Sequence, residues 1–202
     1  MNHRQIVIAT ANPGKLRELR TLLVDLPFDV LDLNSFASID PVAETGATFS
    51  ANASLKASAY AKQTGLMTLA DDSGLEVDAL DGRPGVLSAR YAGDGASDAE
   101  RVQKLLSELS EAGSSSRGAR FVSAIAVANR EGAILNISEG TCTGRIAQAP
   151  RGENGFGYDP VFIPEGFAET FAELPADIKH RISHRGKALT AVAAFLRSLT
   201  VT

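Results

Sequence analysis

The N-terminal part of the chain alternates between the hydrophobic spacing of strands and that of helices. Residues 5–10 form a β-branched run that predicts a strand, and residues 28–33 alternate as a second strand. Between them, the leucines recur at helical spacing: Leu16, Leu19, Leu23 and Leu26. Residues 48–64 are rich in alanine and predict a second helix, which Thr48 would cap and Gly65 would end.

A short buried strand is predicted next, over residues 67–70, and residues 76–80 are a candidate for a further strand. The first of these would end immediately before Asp71-Asp72-Ser73-Gly74. Open α/β sheets usually bind their ligands at the carboxyl ends of the strands. We therefore expect this tetrapeptide in a loop beside a ligand site.

The middle of the chain adds a third helix. A turn cluster at residues 81–85 leads to a segment that Ser97 or Asp98 would cap. One face of this segment is apolar: Val102, Leu105, Leu106 and Leu109. A polar loop over residues 113–118 follows the helix.

The C-terminal part is predicted to hold two long strands and a closing helix. The strands cover residues 121–128 and 133–146 and are joined by a hairpin at residues 129–132. A glycine-rich loop at residues 152–157 precedes a short strand at residues 161–163. The last helix is amphipathic: Leu189, Val192, Leu196 and Leu199. Without a repeat or a long linker, the simplest architecture is one α/β domain over residues 1–202, with a mixed sheet flanked by helices.

Composition narrows the function classes. The 202 residues are 44% hydrophobic and 22% charged, as in ordinary globular proteins. A net charge of −4 and a pI near 5.4 argue against a partner such as a nucleic acid polymer or an anionic membrane, because both favour a basic face. No apolar run has the length of a signal peptide or a membrane span, so we expect a cytoplasmic protein. The single Cys142 is interpreted as a buried apolar residue.

The first candidate for chemistry is the loop between the first strand and the first helix. It comprises Thr10, Ala11, Asn12, Pro13, Gly14 and Lys15. A helix N-terminus offers free N–H groups and a positive dipole end to phosphate, and Lys15 adds a full charge. The GxxxxGK[ST] spacing of a Walker loop is missing. An ordinary capped helix explains the same residues about equally well.

The adjacent carboxylates Asp71 and Asp72 are the second candidate. Neighbouring strand residues point to opposite faces, so we expect only one of the two in a ligand site. Mg²⁺ is usually held by one or two carboxylates together with substrate phosphates, and Glu44 could supply the second. A simple Asx-type turn is the alternative interpretation.

Two further groups of residues could bind a nucleotide. Asn52 and Lys56 share a helix side with Phe49, and a lysine beside an apolar face either snorkels or meets an anion. The loop with Phe156, Gly157, Tyr158 and Asp159 has aromatics and backbone groups suited to a base, although a tight turn is equally simple.

A cationic segment begins the last helix. Ser183 would cap this helix and leave His184 and Arg185 at its N-terminus, where cations are unfavourable unless they meet an anion or an acceptor. Lys179 lies about one turn earlier in the sequence. Their position favours a functional interpretation over that of a solvated surface.

In this order, these motifs resemble the inosine triphosphate pyrophosphatase family, also called dITP/XTP pyrophosphatases. The resemblance spans nearly the whole chain. It rests on residues 10–15, Glu44-Thr45-Gly46 with Thr48-Phe49 and Asn52-Ala53, residues 71–75, Ser88-Ala89-Arg90-Tyr91-Ala92-Gly93, residues 155–160 and Ser183-His184-Arg185. Ala11 and His180 depart from the residues common in that family at these two positions.

The resemblance implies an elongated α/β protein with a long twisted mixed sheet, two lobes around a central substrate cleft, and a homodimer. It also implies roles for individual residues. Residues 10–15 would hold phosphate, Glu44 and Asp72 would hold Mg²⁺, and Asp72 would also accept the proton of the attacking water. Ser73 would contact the substrate. The base and sugar would be surrounded by Phe156, Gly157, Tyr158, Asp159, Lys179, His184 and Arg185.

The activity implied is hydrolysis of ITP, dITP or XTP to the monophosphate and pyrophosphate. The residues alone do not fix which phosphorus is attacked. One alternative is a pyrophosphatase of the septum-inhibition (Maf) type, which prefers modified pyrimidines. This alternative is disfavoured by the segment Ser183-His184-Arg185. The other is a nucleotide-sensing module without turnover, which an intact set of Lys15, Glu44 and Asp72 disfavours.

Overall fold

The computed structural model describes residues 4–199, apart from the side chain of Leu22. Within this range six strands form one sheet in the order β2-β1-β3-β4-β5-β6. Their bounds are β1 Arg4–Ile8, β2 Phe28–Asp32, β3 Met67–Val77, β4 Gly118–Ala128, β5 Ile134–Ile146 and β6 Phe162–Pro164. β1 pairs in parallel with both β2 and β3, whereas β5 and β6 are antiparallel. The predicted mixed sheet is confirmed.

The helices are α1 Pro13–Leu23, α2 Phe49–Thr64, α3 Asp98–Glu111, α4 Ala176–Ile182 and α5 His184–Ser198. The caps predicted for α2 and α3 are confirmed. Thr48 Oγ1 accepts the Ala51 N–H at 3.1 Å, and Gly65 ends α2 at a φ of 68°, a left-handed conformation that glycine adopts without strain. Ser97 begins α3 in a capping box with Glu100. The short helix α4 was not predicted.

The prediction that a strand ends before Asp71 is wrong. β3 continues to Val77 and carries all of residues 71–74 inside it, and a 3₁₀ turn at Asp78–Leu80 follows. The reason is that both carboxylates are buried and paired, at 1% exposure for Asp71 and 5% for Asp72. A paired carboxylate can lie inside a sheet, where an unpaired one would have to remain in a solvated turn.

The described residues divide into two compact units, which the chain enters more than once. Unit 1 contains residues 4–72, 123–140 and 185–199, and unit 2 contains residues 73–122 and 141–184. Each has its own hydrophobic core. The core of unit 1 includes Ile6, Ile8, Leu19, Leu69, Ile125 and Leu189. The core of unit 2 includes Leu75, Leu105, Phe121, Phe162 and Phe171, together with the predicted buried Cys142.

The apolar faces predicted for the helices point into these cores. Val102, Leu105 and Leu109 of α3 are buried in unit 2, and Leu189, Val192 and Leu196 of α5 are buried in unit 1. Among the described residues, no helix combines the length and the apolar character needed to cross a bilayer. The single-domain assignment of residues 1–202 stays a prediction.

Candidate functional site

The predicted phosphate loop lies in unit 1, between β1 and the N-terminus of α1. Asn12 caps the helix, and its Oδ1 accepts the N–H groups of Gly14 at 2.8 Å and Lys15 at 3.1 Å. Thr10 Oγ1 accepts the Asn12 N–H at 3.2 Å. Ala11, Asn12 and Pro13 are exposed. The turn is therefore held by its own side chains, and its outer surface is accessible to an anion at a positive helix end.

Lys15 reaches from this loop to Asp71 on β3. Its Nζ lies 2.7 Å from Asp71 Oδ2, and Ser123 on β4 donates its hydroxyl to Asp71 Oδ1 at 2.6 Å. Arg185 at the start of α5 contacts Glu18 of α1 and lies 3.8 Å from Asp71 Oδ1. Two cations and two anions thus meet in a cluster with no formal net charge.

Asp71 is held as a carboxylate by this cluster. Burial by itself would raise the pKa of Asp71, but Lys15 and Arg185 outweigh it and place the pKa well below its usual range. Neither Glu18 nor Ser123 was predicted to belong to a site. For Glu18 a signal was present, since it lies three residues after Lys15 on the same helix.

Asp72, the next residue, points away from that cluster and contacts α2. Lys56 Nζ lies 3.0 Å from Asp72 Oδ1 and 2.5 Å from Glu44 Oε1, so one ammonium serves two carboxylates. Asp72 Oδ2 is buried and has no hydrogen-bond partner. Burial raises the pKa of Asp72, and Lys56 offsets this only in part. The two aspartates thus contact different lysines, and the expectation that only one of them lies in a ligand site stays a prediction.

Of the two alternatives predicted for Lys56, snorkelling or contact with an anion, the structure shows contact with an anion. Burial alone would lower the pKa of Lys56, but Asp72 and Glu44 outweigh burial and raise the pKa. The ammonium is therefore charged at neutral pH. Glu44, Asp72 and Lys56 together carry one formal negative charge, which one bound cation would offset.

Asn52, one turn before Lys56 on α2, is fully buried. Its Oδ1 accepts the Gly46 N–H at 2.7 Å, while its Nδ2 is buried without a partner. A Cβ on Gly46 would lie 2.8 Å from both this Oδ1 and the Ala51 Cβ, so a side chain at position 46 would displace the loop that carries Glu44. Phe49 is buried, in agreement with a packing role.

The remaining predicted residues belong to unit 2, and Asp159 organises several of them. Asp159 Oδ2 accepts the Phe156 N–H at 2.8 Å and a Lys179 Nζ proton at 2.7 Å, and the pair of side chains is buried. Lys179 Nζ also lies 5.2 Å from the centroid of the Phe156 ring. Asp159 therefore fixes both the loop and the lysine.

The same loop is tied to α3. The Gly157 N–H donates to Asp98 Oδ2 at 2.6 Å, in the first turn of that helix. Tyr158 is buried, and its hydroxyl donates to the Ser88 carbonyl at 2.9 Å. Because this side chain is part of the core, the loop can offer a ligand the half-buried Phe156 ring and backbone groups.

His184 is also buried in unit 2. Its ring stacks on Phe121 with a centroid distance of 4.6 Å and an interplanar angle of 9°. Ser73 is half-buried and begins the unit 2 portion of β3. The predicted site residues thus form two sets by unit. Unit 1 contains residues 10–15, Glu44, Asn52, Lys56, Asp72 and Arg185, and unit 2 contains Ser73, residues 156–159, Lys179 and His184.

The described residues do not form a metal site that consists of protein side chains alone. In the described part of the chain no group of three or more His, Cys, Asp or Glu side chains converges. A pair of carboxylates does converge, at Glu44 and Asp72, on either side of Lys56. Such a pair suits a cation that takes its other ligands from water and phosphate.

Comparison with known proteins shows that nearly the full length of this chain is similar to members of one family. The model of the Ham1 family matches residues 6–195. A dITP/XTP pyrophosphatase of Geobacillus kaustophilus is 51% identical over 187 residues, which cover 93% of this chain and 91% of the relative. A dITP/XTP pyrophosphatase of Streptomyces coelicolor is 45% identical over 197 residues, which cover 96% and 98%.

Solved structures show the same fold. The structure of a HAM1 protein from Coxiella burnetii has a TM-score of 0.89 and 47% identity, and the match covers 96% of this chain and 99% of the other. The Ham1 protein of Staphylococcus aureus has a TM-score of 0.86 and 40% identity, with coverages of 97% and 100%.

Proposed function

The chain belongs to the Ham1 family, and from that premise we propose that it hydrolyses the non-standard purine nucleotides ITP, dITP and XTP to the nucleoside monophosphate and pyrophosphate. The dITP/XTP pyrophosphatases to which it is similar over more than nine tenths of its length support this substrate class. The activity would keep such bases out of DNA and RNA.

The observation that carries the proposal is the excess negative charge around Lys56. Two carboxylates, Glu44 and Asp72, share its single ammonium, and Asp72 Oδ2 is buried without a partner. An unsatisfied buried oxygen of this kind costs free energy unless a ligand completes its contacts. A cation brought with a phosphate substrate would do so.

Mg²⁺ fits this donor set, because it is commonly bound by one or two carboxylates plus substrate phosphates. Glu44 and Asp72 would hold it. When bound, it would neutralise negative charge on the phosphates during hydrolysis. The unpartnered Asn52 Nδ2, a donor buried one helical turn from Lys56, would bind a phosphate oxygen or a water beside it.

Asp72 would accept a proton from the attacking water. Its raised pKa makes the carboxylate a stronger base than an exposed aspartate, provided that it is ionised at the working pH. Lys15, Lys56 and the amides of residues 10–15 would stabilise the charge that develops on the phosphates. Attack at the α-phosphorus gives the two proposed products.

The purine would be selected by the groups of unit 2. The half-buried Phe156 would offer its ring, and Lys179 would be a donor held by Asp159, while the buried His184 ring stacks on Phe121. Hypoxanthine and xanthine have a 6-oxo acceptor where adenine has an amino donor, so donors aimed at this position would reject adenine. Arg185, which contacts Glu18 and Asp71, is the other predicted donor, and its role at the base stays a prediction.

A nucleotide panel assayed separately for pyrophosphate and orthophosphate tests the proposal. With Mg²⁺ present we expect ITP, dITP and XTP to yield one pyrophosphate each and ATP to be a poor substrate, and EDTA should abolish turnover. Stepwise release of orthophosphate would contradict the proposal. Binding without any product would favour the nucleotide-sensing alternative, and a preference for modified pyrimidines would favour the Maf type.

Two further proposals concern the state of the protein. We propose a homodimer that acts in the cytoplasm, on the basis of the family to which the chain belongs. Light scattering coupled to size-exclusion chromatography would give the mass in solution. A mass near 21 kDa across the micromolar range would contradict the dimer.

A further inference from the structure

Unit 2 contains a cavity of about 390 Å³ that shares no residue with the predicted substrate set. It lies between the end of β5, the loop after it, and β6. Three arginines line it: Arg117, Arg145 and Arg151. None of the lining residues is acidic. Such a concentration of positive charge is unexpected in a chain whose net charge is −4.

Two of the guanidinium groups are held in place by backbone carbonyls. Arg117 donates from Nε to the Ile146 carbonyl and from Nη2 to the Ala147 carbonyl, each at 2.6 Å. Arg151 donates from Nη2 to the Ala168 carbonyl at 2.8 Å, and the same Nη2 forms an ion pair with Glu173 Oε2 at 3.4 Å. These bonds fix the side chains and leave further N–H donors of both groups available, since a guanidinium has five.

Arg145 is the third arginine and has a different status. It is exposed, and within the described residues its side chain makes no hydrogen bond or ion pair. It also lines a neighbouring cavity of about 540 Å³ that contains Asp78 and Glu165, but neither acid pairs with it. Its side chain is therefore the one whose removal would leave the fold unchanged.

The rest of the cavity is mostly apolar. Ile146, Ala147, Ala149, Ile163 and Ala168 line it, with Gln148 as an additional polar group. The volume is within the range of small-molecule sites, which combine apolar walls with a few placed polar groups. Burial lowers the pKa of Arg117, and an anion bound beside it would oppose this effect of burial.

We propose that this cavity binds a diphosphate group. Three guanidinium groups match its two to three negative charges, and arginine binds phosphate oxygens in a bidentate manner with charge-assisted hydrogen bonds. Two sources of that group are consistent with the chemistry: free pyrophosphate, which would contact the arginines alone, and an organic diphosphate, whose carbon part would also cover the apolar wall.

Calorimetric titration with pyrophosphate and with ADP tests this site, in EDTA and at about 0.15 M salt. Arg145→Ala should weaken binding at this site about tenfold, the loss expected for one charge-assisted hydrogen bond, and Arg145→Glu should weaken it further. Arg130→Ala is the matched control, since it removes one exposed arginine charge that pairs with Glu131 at a hairpin tip. Its binding should stay within about twofold of the wild type.

The two ligands separate the two sources. Tighter binding of ADP than of pyrophosphate, lost in Arg145→Ala, would assign an organic diphosphate, and the reverse order would assign free pyrophosphate. Equal binding by Arg145→Ala, Arg145→Glu and Arg130→Ala would overturn the proposal. Hydrolysis of ITP should be unchanged in Arg145→Ala without added ligand, so failure of this site would leave the proposed catalytic function untouched.

Discussion

Asp71 and Asp72 are adjacent carboxylates of strand β3, and each contacts a lysine. Their pKa values are nevertheless shifted in opposite directions. On one face Asp71 has Lys15, Arg185 and Ser123, and its pKa is held low. On the other face Asp72 shares Lys56 with Glu44, keeps one oxygen without a partner, and has a raised pKa. A satisfied carboxylate stabilises a fold, whereas a partly satisfied one is available for chemistry, so neighbouring identical residues have different uses.

Replacing Asp72 is the strongest way to break this comparison. We expect Asp72→Asn to lower the kcat for ITP by about 10³-fold or more, because an amide could fill neither of the roles proposed for Asp72, acceptance of the proton and binding of Mg²⁺. Its stability in EDTA should be equal to or higher than that of the wild type. The carboxylate pKa is raised by burial, so the ionised form opposes folding at pH 7.

Steady-state kinetics and urea unfolding would check both halves of this expectation. The matched control is Asp25→Asn, which changes an exposed aspartate outside every predicted site and should retain turnover of the same order. Near-wild-type kcat in Asp72→Asn would remove Asp72 from the role of base.

Asp71→Asn tests the carboxylate whose contacts are complete, and it should lower the stability of the fold. It leaves Lys15 and Arg185 without their shared carboxylate, and removing one partner of a buried ion cluster costs about 3 kcal/mol. Urea denaturation at pH 7 in EDTA would measure this loss in the free energy of unfolding. A variant as stable as the wild type would mean that the cluster merely balances its own desolvation.

The pH dependence of that loss sharpens the comparison. Because the pKa of Asp71 is lower in the folded protein, its contribution to stability is complete above the pKa of about 3.9 in the unfolded chain. The contribution is lost as pH falls from there toward the folded value. The stability gap between wild type and Asp71→Asn should therefore be constant from pH 7 to pH 5 and narrow by about 1 kcal/mol near pH 3. A constant gap down to pH 3 would contradict the assignment.

The smallest effect expected is that of Ser123→Ala. It removes the hydroxyl that donates to Asp71 Oδ1 at 2.6 Å, and a buried hydrogen bond to a charged group contributes about 1.5 to 3 kcal/mol. Because Lys15 and Arg185 remain, the loss should be near the lower end of that range. Ser107→Ala, which changes an exposed serine of α3, is the control that should have no measurable effect. Equal stabilities of the two variants would show that the hydroxyl does not support Asp71.

Local signals in the sequence predicted most of the fold, and the wrong end predicted for β3 has an identifiable cause. Thr48, Gly65 and Ser97 fix helix ends through short-range hydrogen bonds or backbone conformation, so they can be identified from the sequence alone. The extent of β3 depends on Lys15, Lys56 and Arg185, which are distant in sequence and neutralise carboxylates inside a strand. A single-sequence pattern contains no record of such pairings.

The candidate site shows the same division. The conflict of Lys56 with its apolar helix face was a local signal of an anionic partner, and Glu44 and Asp72 supply it. The contribution of Ser123 was not predictable, because a serine inside an apolar strand has no distinguishing spacing. Likewise, the predicted contact residue Tyr158 gave no sign that its hydroxyl would be occupied by the Ser88 carbonyl.

The hydrogen bond from the Gly157 amide to Asp98 gives the loop a built-in reporter. That amide exchanges its proton with solvent only when the bond opens, so its exchange rate measures how often the segment beside Phe156 leaves the first turn of α3. Amide exchange covers openings on slow timescales that a static arrangement of atoms does not reveal. A purine seated against Phe156 would slow this exchange, and one backbone proton would then record residence of the nucleotide without a label or a turnover assay.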